Sequence, residues 1–271
     1  MHSQFSFESN GEIRSSDEFG VIAVYFENNS SQGFHAGQET ELKTEKSGKG
    51  INWNIISQDY SRPMEFTLQI INKDDSPFSQ EQEMALNKAL CHRGEYGWFF
   101  IQEPQYADIW FKCNIHSPQV WNINDRNGLQ YTVTTNSSIV YSGEREHTFE
   151  MNQTDGDDVY VLHLNSDEEI AVYPIIEIEM LEDGDLTISN SADTDINHEY
   201  IFKLNGLISG ELVTIDNDYP RITSEYTSHD NIFNDCNLKW LRLYDGENRL
   251  TFNKKCNVKL KYREYKRLIV F

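Results

Sequence analysis

The sequence predicts an all-β protein with one helix, divided into two domains. Aromatic residues make up 13% of its 271 residues, and such side chains favour the pleated surface of a β-sheet. Turn dipeptides separate many short apolar or alternating runs, which is typical of a sandwich or barrel. The dipeptides that supply the positive-φ positions of tight hairpins are Asn127-Gly128, Asp183-Gly184, Asn205-Gly206 and Asp245-Gly246.

The runs that predict strands are either continuously apolar or alternate apolar with polar residues. In the first half of the chain they lie at residues 21–26, 66–71, 97–101, 108–115 and 130–135. In the second half they lie at residues 159–164, 171–180, 185–189, 199–204, 211–216, 239–244, 249–252 and 258–262. The last run alternates Val258, Leu260 and Tyr262 with Lys259 and Lys261, so it predicts a half-buried strand with a cationic outer face.

One segment predicts an α-helix. Ser79 is suited to cap its start, and Gln82 stands three residues later as the partner in a capping box. Apolar residues then recur at helical spacing up to Leu90, and Gly94 offers a terminating position. We expect this helix to pack on one face of the first sheet.

Charge divides the chain into three parts, although the formal net charge of the whole is −21. Residues 1–135 hold 18 acidic and 10 basic side chains, residues 136–253 hold 25 and 6, and residues 254–271 hold 1 and 7. We therefore place an N-terminal domain at 1–135 and an acidic second domain at 136–253. We expect 254–271 to be a basic C-terminal strand that pairs back onto one of the sheets, and the polar stretch 39–50 to be a mobile loop.

This composition argues against several classes of protein. A strongly acidic chain is repelled by nucleic acid and by anionic membrane surfaces. No apolar run approaches the roughly 20 residues of a membrane-spanning helix, and the polar start at residues 1–10 lacks the layout of a secretory signal. We expect synthesis in a cytosol and no membrane insertion. Four cysteines without a CxxC spacing predict free, mostly buried thiols.

The sequence contains no common catalytic signature: GxSxG, HExxH, a phosphate loop and GxGxxG are all absent. Glu177 and Glu179 lie on one face of a predicted strand and are the candidate acid–base pair of a hydrolase. A working pair needs separated pKa values, so solvated charge is the favoured interpretation. We predict no enzymatic activity and no cofactor.

Two metal-binding patterns are incomplete. The run at residues 193–199 begins like a calcium loop, but His198 and Leu204 replace the glycine and glutamate that such a cage requires. Cys113 and His116 lie three residues apart on a predicted strand, so they point to opposite faces, whereas zinc needs convergent ligands. We therefore predict no metal site.

The tryptophans leave two interpretations open. They line a sugar-binding face, or they are anchors of the core and of subunit interfaces, and composition favours the second. The residues concerned are Trp53, Trp98, Trp110, Trp121 and Trp240.

Taken in order, these features resemble the distal tail (Dit) family of long-tailed phages that infect Gram-positive bacteria. The resemblance extends over nearly the whole chain and rests on short ordered patterns and on domain sizes. The patterns lie at residues 13–20, 60–68, 98–101, 109–113, 128–133 and 238–250. Within them, Gly128, Trp240, Gly246 and Asn248 match the family pattern, and we expect them to have structural roles.

The resemblance implies a structural protein of the virion, located at the tail tip or baseplate. It implies an N-terminal β-sandwich that forms a hexameric ring and a galectin-like or carbohydrate-module-like β-sandwich that faces outward. Such a ring joins the tail tube protein to the tail-associated hub or lysin protein, and the second domain anchors receptor-binding or baseplate proteins. The family contributes no catalytic residues.

DNA is expected only to pass through the lumen of such a ring, and acidic side chains lining it would repel the phosphate backbone. A ring lined by lysine and arginine would contradict this expectation. The alternative function is a carbohydrate-binding module that recognises a glycan of the host cell wall. A phage-tail-like bacteriocin would use the same ring fold.

Overall fold

The structure is a computed structural model that describes residues 3–27, 40–46, 48, 51–60, 62–91, 94–123, 126–152, 158–193, 200–226, 229 and 231–267. Two compact units divide the chain: unit 1 comprises Met1–Tyr141 and Lys266–Phe271, and unit 2 comprises Ser142–Tyr265. The described elements are strands, one α-helix and short 3-10 turns, which confirms the predicted all-β class. Among these residues, no helix has both the length and the apolar character needed to cross a membrane.

The units are defined by packing, whereas the limits 1–135, 136–253 and 254–271 come from charge and stay a prediction. Unit 1 contains β1 (Phe5–Ser9), β2 (Glu12–Ser15), β3 (Val21–Glu27), β4 (Thr40–Lys46), β5 (Trp53–Tyr60), β6 (Glu65–Asn72), α1 (Gln80–Leu90), β7 (Gly97–Ile101), β8 (Trp110–Ile123), β9 (Arg126–Thr135) and β10 (Val140–Tyr141).

Unit 1 is built on one curled antiparallel sheet with the strand order β2-β1-β7-β8-β9-β6-β3. Backbone hydrogen bonds of 2.9 and 2.8 Å join Ser3 to Ala23, so the segment before β1 pairs with the far strand β3. The strands of unit 1 therefore form a sheet whose two ends meet. Closing the sheet encloses a core of aromatic and aliphatic side chains that includes Phe5, Phe99 and Tyr131.

The helix α1 begins as predicted. Ser79 Oγ accepts a hydrogen bond from Gln82 N at 3.2 Å, and Gln82 Oε1 accepts one from Ser79 N at 3.1 Å, which completes the capping box. The helix buries Leu86, Ala89 and Leu90, so its apolar face contributes to the core of unit 1. It ends earlier than expected, because Cys91 rather than Gly94 is its C-cap residue.

The predicted loop at residues 39–50 is partly a strand. Residues 40–46 form β4, which pairs antiparallel with β5 from Thr40 opposite Tyr60 to Lys46 opposite Trp53. These two strands form a separate sheet, and we call them the arm. Residues 39, 47, 49 and 50 lie outside the described residues.

Unit 2 contains two antiparallel sheets. Its strands are β11 (Arg145–Met151), β12 (Asp158–Leu164), β13 (Ile175–Met180), β14 (Gly184–Asn190), β15 (Ile201–Leu207), β16 (Leu212–Asp216), β17 (Arg221–Ser224), β18 (Gly246–Phe252) and β19 (Cys256–Tyr262), and β20 (Tyr265–Lys266) lies where the chain returns to unit 1. One sheet has the order β11-β19-β13-β16-β17, and the other has the order β12-β18-β14-β15.

The two sheets of unit 2 share one hydrophobic core, as in a β-sandwich. Ile178 of β13 and Leu260 of β19 come from one sheet, and Ile188 of β14 and Phe252 of β18 come from the other; all are buried in the same cluster. The basic run at 258–262 lies in β19, which pairs with β11 on one side and β13 on the other.

The predicted strand at residues 239–244 is wrong. Only Leu243 pairs in strand fashion there, through a bridge to Val172. Leu241 is held instead by Asn217, whose Oδ1 accepts a hydrogen bond from Leu241 N at 2.8 Å. Leu241 and Leu243 are both buried in the sandwich core. Apolar residues therefore alternate along the segment as they would in a strand, although the segment does not pair as one.

Candidate interaction surfaces

Gly128 lies in β9 directly opposite Trp121 of β8. A Cβ atom at position 128 would lie 2.4 Å from Cε2 and 2.5 Å from Nε1 of Trp121. Glycine therefore lets the indole ring pack across the neighbouring backbone, as aromatic side chains do when they cover strand glycines. Trp121 Nε1 is buried and finds no hydrogen-bond partner among the described residues, so packing rather than a polar contact holds the ring.

Asn248 is fully buried and organises the turn that precedes β18. Its Oδ1 accepts hydrogen bonds from Tyr244 N at 2.8 Å and Asn190 Nδ2 at 2.7 Å. Its Nδ2 donates to the carbonyl oxygen of Tyr244 at 2.7 Å. Gly246 completes the turn with a φ of 85°, a conformation that favours glycine. Gly246 and Asn248, two of the four family-pattern residues, thus shape one turn, Gly246 through its backbone and Asn248 through its side chain.

Trp240 is half-buried at the surface of unit 2. Its ring centroid lies 6.4 Å from that of Phe202 and 6.2 Å from that of Phe233. Trp98, Trp110 and Trp121 are also half-buried, whereas Trp53 is exposed in the arm. Four of the tryptophans are therefore partly covered by the protein, and the exposed one lies outside unit 2.

The cationic face predicted for β19 is matched by acidic neighbours on both sides. Lys261 Nζ lies 2.6 Å from Glu177 Oε1 of β13, and Lys259 Nζ lies 3.1 Å from Glu146 Oε2 of β11. The hydrogen bond from Lys261 to Glu177 raises the pKa of that lysine. Glu179 accepts a hydrogen bond from Asn257 at 2.9 Å. Both candidate acid–base residues are thus engaged in cross-strand pairs.

Of the suspected metal ligands that the structure describes, Asp193 and His116 have other partners and Cys113 is buried. Asp193 accepts two hydrogen bonds from Arg242, at 2.8 Å from Nε and 2.6 Å from Nη2, and residues 194–199 lie outside the described residues. Burial raises the pKa of the Cys113 thiol, and His116 Nε2 lies 3.0 Å from Thr134 Oγ1. In the described part of the chain, no cluster of three His, Cys, Asp or Glu side chains could hold a metal.

A polar cluster that the sequence analysis missed lies in unit 2. His229 Nδ1 lies 2.8 Å from Glu211 Oε1, and Nε2 lies 3.1 Å from Asp235 Oδ2. Ser224 Oγ also donates to Glu211 at 2.6 Å. Burial opposes the charge, but the bonds to both carboxylates raise the pKa of His229 overall. These residues are scattered along the sequence, so no local pattern predicted their meeting.

The arm carries a concentration of exposed apolar side chains. Pairing of Trp53 with Lys46 and of Ile55 with Thr44 places Trp53, Ile55 and Leu42 on one face. Trp53 is 64% exposed and Ile55 is 65% exposed. An isolated two-stranded hairpin is only marginally stable in water, and clustered apolar surface marks interaction sites. The arm is therefore the candidate contact surface of unit 1.

Comparisons with known proteins agree with this architecture. A family model described as "Phage tail protein N-terminal domain" matches residues 3–137, and one described as "Phage tail C-terminal domain" matches residues 140–262. A search of curated protein sequences found no match. Together the two family models span nearly the whole chain, and the chain belongs to this family of phage tail proteins.

Solved structures define the fold more closely. The Dit protein of phage SPP1 superposes with a TM-score of 0.60 at 9% identity, covering 97% of this chain and 99% of that one. A chain of the phage p2 baseplate in its activated conformation gives a TM-score of 0.56 at 10% identity, covering 96% and 97%. The fold is that of distal tail proteins. The predicted resemblance and the predicted place in the tail of a virion are confirmed.

Proposed function

We propose that this chain closes on copies of itself into a hexameric ring at the tail tip, and that unit 2 anchors host-adsorption proteins outside the ring. The ring joins the tail tube to the tail hub and leaves a lumen for DNA. The role is structural, without bond-breaking chemistry. The similar proteins named above, which are tail and baseplate components, support this proposal.

The observation that carries the proposal is the arm. Its exposed residues Trp53, Ile55 and Leu42 share one face, and Ile51 between the strands is 88% exposed. Burying one large apolar side chain stabilises an interface by about 1.5–3 kcal/mol. In the ring, the arm of one copy lies on its neighbour, since a head-to-tail contact closes when it repeats by rotation.

Mass photometry of the purified chain over a dilution series tests this proposal. We expect the wild type to form a six-fold assembly and Trp53→Glu to weaken the copy–copy contact by about tenfold or more. Met84→Glu is the matched control, because Met84 is 66% exposed on α1, outside the arm. A wild type that is monomeric at every concentration, or a Trp53→Glu chain that assembles like the wild type, would contradict the proposal.

The carbohydrate-binding alternative requires stacked ring faces open to a sugar in unit 2. Trp240 instead packs against Phe202 and Phe233. Calorimetric titration of the full chain with cell-wall oligosaccharides separates the two functions. A saturable heat of binding would favour the carbohydrate-binding function if the Trp240→Ala variant no longer showed it.

A further inference from the structure

Among the described residues, the sandwich of unit 2 has four edge strands: β11 and β17 in one sheet, and β12 and β15 in the other. An edge strand presents unpaired backbone N–H and C=O groups to other chains, and proteins usually guard such edges. Guards include covering segments, short strands and charged side chains. The four edges of unit 2 differ in this respect.

The edge of β15 is covered by the segment that contains Asn237. Asn237 Oδ1 accepts from Lys203 N at 3.0 Å, Asn237 N donates to the Lys203 carbonyl at 3.1 Å, and Asn237 Nδ2 donates to the Ile201 carbonyl at 2.7 Å. A bridge between Leu204 and Cys236 continues the pairing. This edge is therefore occupied by the chain itself.

The two edges of the other sheet are guarded by length and charge. Strand β17 has only four residues and begins with Arg221. Strand β11 begins with Arg145 and directs Glu146 and Glu150 outward. Charged side chains on an edge disfavour the approach of another strand.

The acidic side chain of β12, Asp158, lies at its first position, so the stretch from Val159 to Leu162 carries no charged guard. The seven residues of β12 contain no Lys, Arg, Pro or Gly, and they pair with β18 from Asp158 opposite Phe252 onwards. Within the described residues, no strand pairs with its other side. Val159 and Val161 are 43% and 41% exposed, and such β-branched side chains favour a paired strand.

The strand is also held firmly from the core side. The rings of Tyr160 and Phe149 stack with centroids 3.7 Å apart, and Tyr160 Oη lies 3.1 Å from His147 Nδ1. Leu162 and Leu164 are buried in the sandwich core. Because this edge is already ordered, little conformational entropy is lost on binding. The edge is therefore suited to bind an extended segment.

The acidic residues around β12 select the charge of that segment. Asp158 is the first residue of the strand, the exposed Asp167 and Glu169 follow it, and residues 136–253 as a whole hold 25 acidic and 6 basic side chains. Pairing of β12 with β12 of a second copy would bring two equally acidic surfaces together. Like charges placed side by side oppose such pairing.

We propose that the edge of β12 binds an extended segment of a different protein, which adds a strand to the four-stranded sheet. The segment alternates β-branched or aromatic residues with polar ones and has basic residues at both ends. This mode of recognition takes affinity from main-chain hydrogen bonds and specificity from alternate side chains. The inference deepens the attachment role proposed for unit 2 and rests on it.

The test uses the full chain and synthetic peptides in calorimetric titration. One peptide alternates Val and Thr and has a Lys pair at each end; its matched control has Glu pairs instead. We expect only the Lys-flanked peptide to bind, with an affinity that falls as salt increases. Hydrogen exchange should then show new protection of amides in residues 158–164, because edge amides become hydrogen-bonded.

Two variants locate the site. Val161→Lys adds an edge guard at an exposed position and should weaken the peptide by about tenfold or more. Thr223→Lys makes the same charge change on the exposed side of β17 and should change the affinity less than about twofold. Circular dichroism of both variants should match the wild type.

The inference would be overturned by no binding of the Lys-flanked peptide, by equal binding of the Glu-flanked one, by protection at a different strand, or by equal weakening by both variants. A change in the mass of the free chain caused by Val161→Lys would instead assign the edge to a second copy, and would also overturn it. Trp53→Glu separates this inference from ring closure, because it alters assembly and leaves peptide binding intact.

Discussion

Replacing Gly128 with alanine should destabilise unit 1 by about 1–3 kcal/mol, the usual cost of forcing extra volume into a packed site. The new Cβ would lie 2.4, 2.5 and 2.7 Å from three atoms of the Trp121 ring, and separations below 3.0 Å require one group to move. The indole is large and lies across the backbone, so the ring rather than a flexible tip must shift.

Gly97 provides the matched control for this change. It also lies in a strand of unit 1, and a Cβ there would be 3.4 Å from Glu8 Cβ, an ordinary contact. Gly97→Ala should therefore change stability by less than about 0.5 kcal/mol. Shortening the opposing side chain with Trp121→Leu should reduce the penalty of Gly128→Ala, because the two sites are in contact.

Urea unfolding followed by tryptophan fluorescence and by circular dichroism measures these free energies. The comparison is between the Gly128→Ala and Gly97→Ala chains, with the double change completing a cycle. If Gly128→Ala proved as mild as Gly97→Ala, or if Trp121→Leu left its penalty unchanged, the packing assigned to Gly128 would be incorrect.

Three further changes probe unit 2 by the same unfolding measurement. Asn248→Ala should cost about 2–3 kcal/mol, because it leaves buried partners of its amide unsatisfied; a cost below about 0.5 kcal/mol would contradict the role of that turn. His229 contributes stability that is complete below its ordinary pKa of 6.5 and is lost as pH rises through its raised folded pKa. Glu211, whose pKa is lowered, contributes stability above pH 4.5, and this stability is lost as the pH falls. His229→Gln should flatten the pH profile on the alkaline side of 6.5, and an unchanged profile would refute the linkage. Lys261→Met should cost less than about 1 kcal/mol, since its ion pair is partly exposed to solvent, and a larger loss would show that the cross-strand pair is worth more than a surface pair.

Local signals in the sequence predicted local structure well. The capping box of Ser79 and Gln82 fixed the start of α1, and the run at 97–101 coincides with β7 (Gly97–Ile101). These features depend on neighbours within a few residues. Strand β1 was missed although Phe5 and Phe7 alternate with polar residues, because a short run in a polar terminus has a weak period.

Features that depend on distant partners could not be predicted. Strand β4 of the arm has a mostly polar sequence. It forms because β5 pairs with it, and not because it covers a hydrophobic core. The cationic outer face formed by Lys259 and Lys261 was predicted correctly. Their acidic partners come from β11 and β13, which are distant in the sequence, so the pairs could not be predicted. Among the candidate residues, Gly128 was identified from the family pattern. A glycine is needed there because the Trp121 ring packs over it, and that contact depends on the register of β8 and β9.

Imaging of intact virion tails at a resolution that shows secondary structure tests the central claim most directly. Six copies of this chain should encircle a channel at the tail tip, with the β4–β5 arm of each copy at the contact with its neighbour. Density for this chain along the tube, at the head end, or as a single copy beside the axis would contradict the proposed ring.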